Sequence, residues 1–262
     1  ENIKRDLRKY SVAGIVPEIL DLKYLFLETD SKIYYNTSLA PNAIMVSTTV
    51  MNNINKLADS AELNKYGARF KYSKFLKVLD QSHESITSNI TTVEMRRDLR
   101  LATDQFAEYA IDFGNQFHIT DMEGYNLRST AFRVLDIVNE VYLFDIPNTD
   151  KKTGRLGLFS LDSPGSTTPI IERQNVGLVN YEKGRITLNP INITSGKEKD
   201  KQQIMEISVV PESNDVIGLQ DLYLQLDTSN VEMVVDEIAS GADPSGSTYT
   251  VTTSYKQRKI VR

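Results

Sequence analysis

The hydrophobic pattern of this chain changes period part-way along, and that change constrains the fold more than any other feature. In Thr92–Leu101, Val93, Met95, Leu99 and Leu101 fall on one side of an extended chain, and Thr92, Glu94, Arg96, Asp98 and Arg100 on the other. Strict alternation of this kind is the mark of a strand with one face on a core. Only Arg97 breaks the apolar side, which reads as an edge or an interface. Ala107, Tyr109, Ile111 and Phe113 repeat the alternation. From Thr130 onward the chain reads almost wholly as strand. Ala131–Ile146 alternates through Leu135, Ile137, Val141 and Leu143, and Gln203–Val210, Leu222–Leu226 and Tyr249–Tyr255 add further strands. Val231–Ala239 fits strand or helix equally well.

Upstream of Thr92 the period is mostly helical. A first strand is predicted over Ile19–Glu28, where Leu22, Tyr24 and Phe26 alternate, followed by a turn at Tyr35-Asn36-Thr37-Ser38. Pro41 suits the first turn of a helix, where its missing N–H costs nothing. Val50, Ile54, Leu57 and Ala61 then form one apolar stripe, and Gly67 is a natural stop. A shorter helix carries Tyr72, Phe75, Leu76 and Leu79. The order strand, helix, helix, strand, strand predicts an α+β class: an N-terminal α+β unit over residues 1–129, with helices packed on an antiparallel sheet, then a mainly β half over 130–262. Leu57 is expected to face the sheet formed by Leu22–Leu27 and Val93–Leu101.

Turn signals organise the second half. Pro147–Pro169 is rich in Gly, Pro, Ser, Thr and Asp, with Leu156, Leu158 and Phe159 as its apolar cluster, and reads as a boundary or a long loop. Glu182-Lys183-Gly184 joins Val176–Tyr181 to Arg185–Leu188 as a hairpin, with Gly available for positive φ. Asn189-Pro190 must mark an edge or a bulge, because proline cannot donate to a central ladder.

The residue types narrow the chemistry. Cysteine is absent from all 262 residues, which removes disulfides, thiolate zinc sites and thiol nucleophiles together. No apolar run approaches the roughly 20 residues needed to span a bilayer. Glu1–Tyr10 is charged and lacks a signal-peptide core. A start at Glu1, without methionine, suggests a fragment or a processed product. The net charge of −5 argues against a nucleic-acid partner, and Lys256, Arg258, Lys259 and Arg262 read as a solvated tail, with contact to an acidic partner surface as the alternative.

No catalytic, cofactor-binding or metal residues are predicted. His83 and His118 lie in different elements without a helical ligand partner, and read as loop histidines. Asn148-Thr149-Asp150-Lys151-Lys152 begins like a calcium loop but places lysine where an oxygen ligand is needed. Gly196-Lys197 lacks the rest of a phosphate loop. Tyr34, Tyr35 and Tyr125 could line a sugar platform, although tyrosine serves half-buried positions equally well.

Two stretches carry a family resemblance. Lys74–Arg97 runs from a short helix through Ile86-Thr87-Ser88-Asn89 to a strand containing Met95-Arg96, and Asn175–Leu188 contains Gly177-Leu178-Val179-Asn180-Tyr181 and Gly184-Arg185-Ile186. In this order, and with Ile15-Val16-Pro17 upstream, they resemble the baseplate wedge subunits of T-even-type contractile-tailed bacteriophages, J-like proteins of the inner baseplate ring. The resemblance spans Ile15 to Leu226. It implies a C-terminal fragment of a virion structural protein with no catalytic residues, one that self-associates as a homodimer and binds other wedge subunits. No nucleic acid, membrane, cofactor or small-molecule substrate is expected. A receptor- or glycan-binding tail module is the alternative, and a cell-wall hydrolase a more distant one. Self-association is expected through the β-rich C-terminal half, with Thr248–Tyr255 as a lightly charged strand at an edge.

Overall fold

The computed structural model describes residues 23–40, 42–119, 126–163 and 168–241, together with Asp6 and Tyr10. Ile15–Pro17, Pro41, Tyr125, Thr248–Tyr255 and the basic cluster at 256–262 lie outside them. Of the described residues, 52% lie in strands and 12% in two helices. The strands are β1 (Tyr24–Tyr35), β2 (Lys65–Tyr66), β3 (Arg69–Phe70), β4 (Ile86–Arg100), β5 (Phe106–Asp112), β6 (Arg128–Ser129), β7 (Arg133–Val134) and β8 (Val141–Pro147). They continue with β9 (Thr153–Leu161), β10 (Pro169–Asn180), β11 (Arg185–Ser195), β12 (Lys197–Lys199), β13 (Gln202–Val209), β14 (Val216–Ile217) and β15 (Tyr223–Val235). The helices are α1 (Ala43–Ala58) and α2 (Tyr72–Asp80).

The first sheet has the order β12-β13-β4-β1-β15-β2, and β6 also pairs with β13. β1 runs antiparallel to β4, with Leu27 opposite Met95, and parallel to β15, from Tyr24 opposite Tyr223 to Tyr35 opposite Val235. The second sheet is antiparallel throughout, in the order β5-β11-β10-β9-β8, with β7 beside β11. β14 and β3 form a separate two-stranded ribbon. Leu25, Leu27, Val93, Met95 and Leu224 from the first sheet join Ile111, Leu143, Leu156 and Ile186 from the second in one hydrophobic cluster. The short β6 stitches the sheets together. It pairs with β13, while Ser129 Oγ accepts from Leu143 N at 2.8 Å and Leu127 N donates to Asp145 Oδ1 at 2.8 Å.

The expected N-terminal α+β unit, with helices packed on its own antiparallel sheet, is overturned. The described residues are mostly strand, and the sheet that contains β1 and β4 also contains β13 and β15 from the far half. One of its pairings, β1 with β15, is parallel. Alternation reveals that a strand is half-buried, but not which distant strand it pairs with.

Local expectations fared unevenly. β4, β5, β13 and the hairpin between β10 and β11 fall where period and turn chemistry put them. β11 is an inner strand, and its register against β5 shifts between Leu188 and Ile191, so Asn189-Pro190 is a bulge. α1 begins at an Asn42 cap, whose side chain accepts from Ile44 N, and ends at Ala58, well short of Gly67. Its buried stripe is Val46, Val50 and Ile54, whereas Leu57 is half-buried and Ala61 exposed. The alternating run Ala131–Ile146 breaks into β7, a turn and β8, with Leu135 and Val138 exposed at 59% and 92%. Within Pro147–Pro169, read as a boundary or long loop, β9 is an inner strand with Leu156, Leu158 and Phe159 fully buried. The ambiguous Val231–Ala239 is strand up to Val235 and turn afterwards.

Candidate interaction surface

Side chains of β1 and β4 that point away from the core meet on the outer face of the first sheet. Phe26 and Arg96 are paired across the two strands, and the guanidinium lies over the Phe26 ring, 4.3 Å from its centroid. Around Arg96 stand three carboxylates: Nη1 meets Glu28 Oε1 at 2.5 Å and Asp227 Oδ2 at 2.8 Å, and Nε meets Asp98 Oδ1 at 2.9 Å. Asp227 arrives through a bulge. The register of β1 with β15 passes from Leu27–Leu226 to Glu28–Thr228, so Asp227 is the extra residue, and bulges commonly re-aim a side chain in this way. Burial is the largest single influence on Arg96 and opposes its charge. Asp98, Glu28 and Asp227 together outweigh it and raise the guanidinium pKa above its usual value.

The same face extends across the sheet. Arg128 pairs with Glu94, Lys197 Nζ with Glu206 Oε1 at 2.7 Å, and Lys199 Nζ with Asp98 Oδ2 at 2.7 Å. Asn230 Nδ2 donates to Asp30 Oδ1 at 3.1 Å. All of these groups except Asp98 line an open cleft of about 810 Å³. The arrangement is a laced polar surface in which cations and carboxylates are matched within the chain. It can hold strands in register and meet a polar partner. It offers no isolated pair of carboxylates poised for acid–base chemistry.

Arg97, the break in the apolar face of β4, sits on an inner strand and not at an edge. Its Nη1 donates to the backbone carbonyl of Asp112, at the end of β5, tying the first sheet to the second. Burial lowers its pKa, and Asp221, Asp112 and Asp98 act in the opposite direction.

The residues singled out from sequence do not converge. His83 Nδ1 is 2.8 Å from Ser85 Oγ and accepts from Ser85 N, within its own turn. His118 Nδ1 lies 3.0 Å from Glu212 Oε2, half-exposed. Asp150 accepts from Lys152 N, Thr153 N and Thr153 Oγ1, so its carboxylate serves the turn, and these bonds hold its pKa below the usual carboxylate value. Gly196 N donates to Gln203 Oε1. Tyr35 is buried and its neighbour Tyr34 points to the opposite face of β1 beside Lys32, so the two cannot share a platform. Among the described residues, no group of three or more His, Asp or Glu is placed to hold a metal ion. Nor is any described helix long and apolar enough to cross a membrane. The laced face was half-legible: Glu94, Arg96 and Asp98 mark the polar side of β4, but their partners come from β1, β12, β15 and β6.

Residues 23–98, from the start of β1 through most of β4, match the family described as baseplate structural protein gp6, C-terminal domain III. The whole first meeting of β1, α1, α2 and β4 therefore lies inside that match, as does the Lys74–Arg97 stretch. By sequence, the chain is similar to a phage baseplate wedge protein. It is 24% identical to the baseplate wedge protein gp6 of Enterobacteria phage T4 over 253 residues, an alignment covering 84% of this chain. The chain spans 37% of that relative's length.

Proposed function

We propose that the chain is a structural, non-enzymatic part of a phage tail baseplate in the virion, where it associates with copies of itself, as a dimer, and with other wedge subunits of an inner ring. The observation that carries this reading is the similarity to a baseplate wedge protein along 84% of the chain. The surface fits the role. Its main cleft is laced by internal ion pairs, and β10 in the C-terminal half exposes Ile170, Ile171 and Leu178 at 45%, 45% and 58%. A stable interface between copies buries upwards of about 1,000 Å² in total, and exposed aliphatics of this kind belong at its centre. Neither a glycan-binding module nor a hydrolase gains a specific observation in its favour.

The test is co-expression with the other wedge proteins of the same phage, followed by light scattering of the purified material. The expected outcome is a self-associated chain that recruits at least one wedge partner into a complex of defined mass. A monomer that stays monomeric in the presence of every wedge protein overturns the reading.

A further inference from the structure

A second concave surface shares no lining residue with the laced face. It is a groove of about 330 Å³ between the end of α1 and the start of α2, lined on its apolar side by the part-exposed Leu57 and the buried Leu63 and Phe70. Four cations line it: Lys65 from β2, Arg69 from β3, Lys71 at the cap of α2 and Lys74 in its first turn. A single carboxylate, Glu62, lines it with them, and Glu62 is already paired with Lys74. Lys65, Arg69 and Lys71 are exposed and form no ion pair among the described residues. The first turn of α2 contains no acidic residue, and its Lys71 cap makes no side-chain hydrogen bond. The backbone N–H of Tyr72 is satisfied from outside the groove by Asp215 Oδ1 at 2.7 Å. This concentration of positive charge stands out on a chain whose net charge is −5.

We infer that this groove is a docking site for an acidic segment of another protein, whose carboxylates sit among the exposed Lys65, Arg69 and Lys71 and whose aliphatic stems rest against the part-exposed Leu57. Glu62 is the internal example of such a ligand. Its carboxylate lines the groove while staying largely exposed, and the hydrogen bond and charge of Lys74, aided by Lys65 and Lys71, hold its pKa below the usual carboxylate value. Three of the four cations remain for a partner. A peptide suits the site better than a nucleic acid, because the part-exposed Leu57 gives side-chain stems an apolar contact and the overall negative charge repels a long polyanion. The inference goes beyond the baseplate reading and does not depend on it, since the groove can be tested with no wedge protein present.

The experiment uses the full chain and a fluorescein-labelled oligoglutamate peptide at low ionic strength, read by anisotropy. The triple variant K65E/R69E/K71E is expected to bind at least about tenfold more weakly, because like charges placed opposite one another are strongly unfavourable. Its circular dichroism and melting temperature are expected to match the parent, since all three side chains are exposed. A control variant, Lys183→Glu in the exposed turn before β11, is expected to retain binding. Salt should weaken the parent complex, as it screens charge pairs at a surface. Equal binding by parent and triple variant, or no binding by the parent, overturns the inference. So does a single-stranded oligonucleotide of equal charge that binds more tightly than the peptide.

Discussion

Gly184 sits at the end of the turn between β10 and β11 with φ of +62°, in the left-handed region that side chains with a Cβ avoid. A Cβ built there would stand 2.0 Å from the carbonyl oxygen of Asn115. Asn115 cannot easily give way, because its side chain donates to Ile217 O at 2.8 Å and accepts from Ile217 N at 2.9 Å. Gly184→Ala is therefore expected to cost about 1–2 kcal/mol for the backbone alone, with the clash added to it. Gly184→Asn should be milder, because asparagine tolerates the left-handed region, yet still destabilising through the same contact. Urea denaturation of both variants decides the matter; a parent-like midpoint for the alanine variant would remove the close approach from this account. Glycine also explains a misreading at this scale. Gly157 helps give Pro147–Pro169 the composition of a loop, but a Cβ there would lie 2.4 Å from the Phe144 ring. It is a strand glycine used for close packing, and composition does not separate that use from a turn.

At the scale of elements, the first helix shows how far periodicity reaches. The stripe was legible, yet its centre moves by one turn: Val46, Val50 and Ile54 are buried, while Leu57 packs only against the margin of the core. α1 lies against β15 and α2, and α2 lies against β4. Ile54→Ala is expected to lose about 2–5 kcal/mol, the usual range for a large aliphatic in a closed core. Leu57→Ala should cost distinctly less, about 1–2 kcal/mol, because its site is part-open and can fill with water or relax. Equal losses in chemical denaturation would place Leu57 in the core after all. β15 was the least legible strand, since its partner β1 lies some 200 positions away and no local pattern points to it. A polar clasp holds their ends. Asp236, just past β15, accepts from Ala239 N and from Thr87 Oγ1 on β4 at 2.7 Å. These bonds hold the Asp236 pKa below its ordinary value of 3.8. A carboxyl whose folded pKa is depressed stabilises the fold above its unfolded pKa and loses that contribution as pH falls through the folded value. Melting temperature should therefore decline as pH drops from 5 towards 3, a fall shared with Asp150 and Glu62, and Asp236→Asn should make it shallower. An unchanged slope in the variant would mean that the clasp contributes nothing to acid sensitivity.

For the whole molecule, the question is how many cooperative units the chain contains. The change to near-continuous strand at Thr130 suggests a division near residue 129, but each sheet draws strands from both sides of that position. The first sheet combines β1, β2 and β4 with β12, β13 and β15, and the second sets β5 beside β11. Both faces also share one hydrophobic cluster. Further ties cross between the sheets: Arg97 to the carbonyl of Asp112, and β6 to both β13 and the start of β8. Removing either half would expose the inner edges of two sheets at once, with unpaired N–H and C=O groups and the apolar surface behind them. Neither half could then retain its own sheet intact. The full chain is accordingly expected to melt in a single calorimetric transition, with van't Hoff and calorimetric enthalpies in agreement. Fragments 1–129 and 130–262, expressed apart, should lack cooperative melts, and mixing them should restore one if the strands can still find their partners. Two separate transitions in the full chain, or a cooperative melt from either fragment alone, would support independent units divided near residue 129. That result would assign the cross-sheet contacts to an interface between domains and not to a common core.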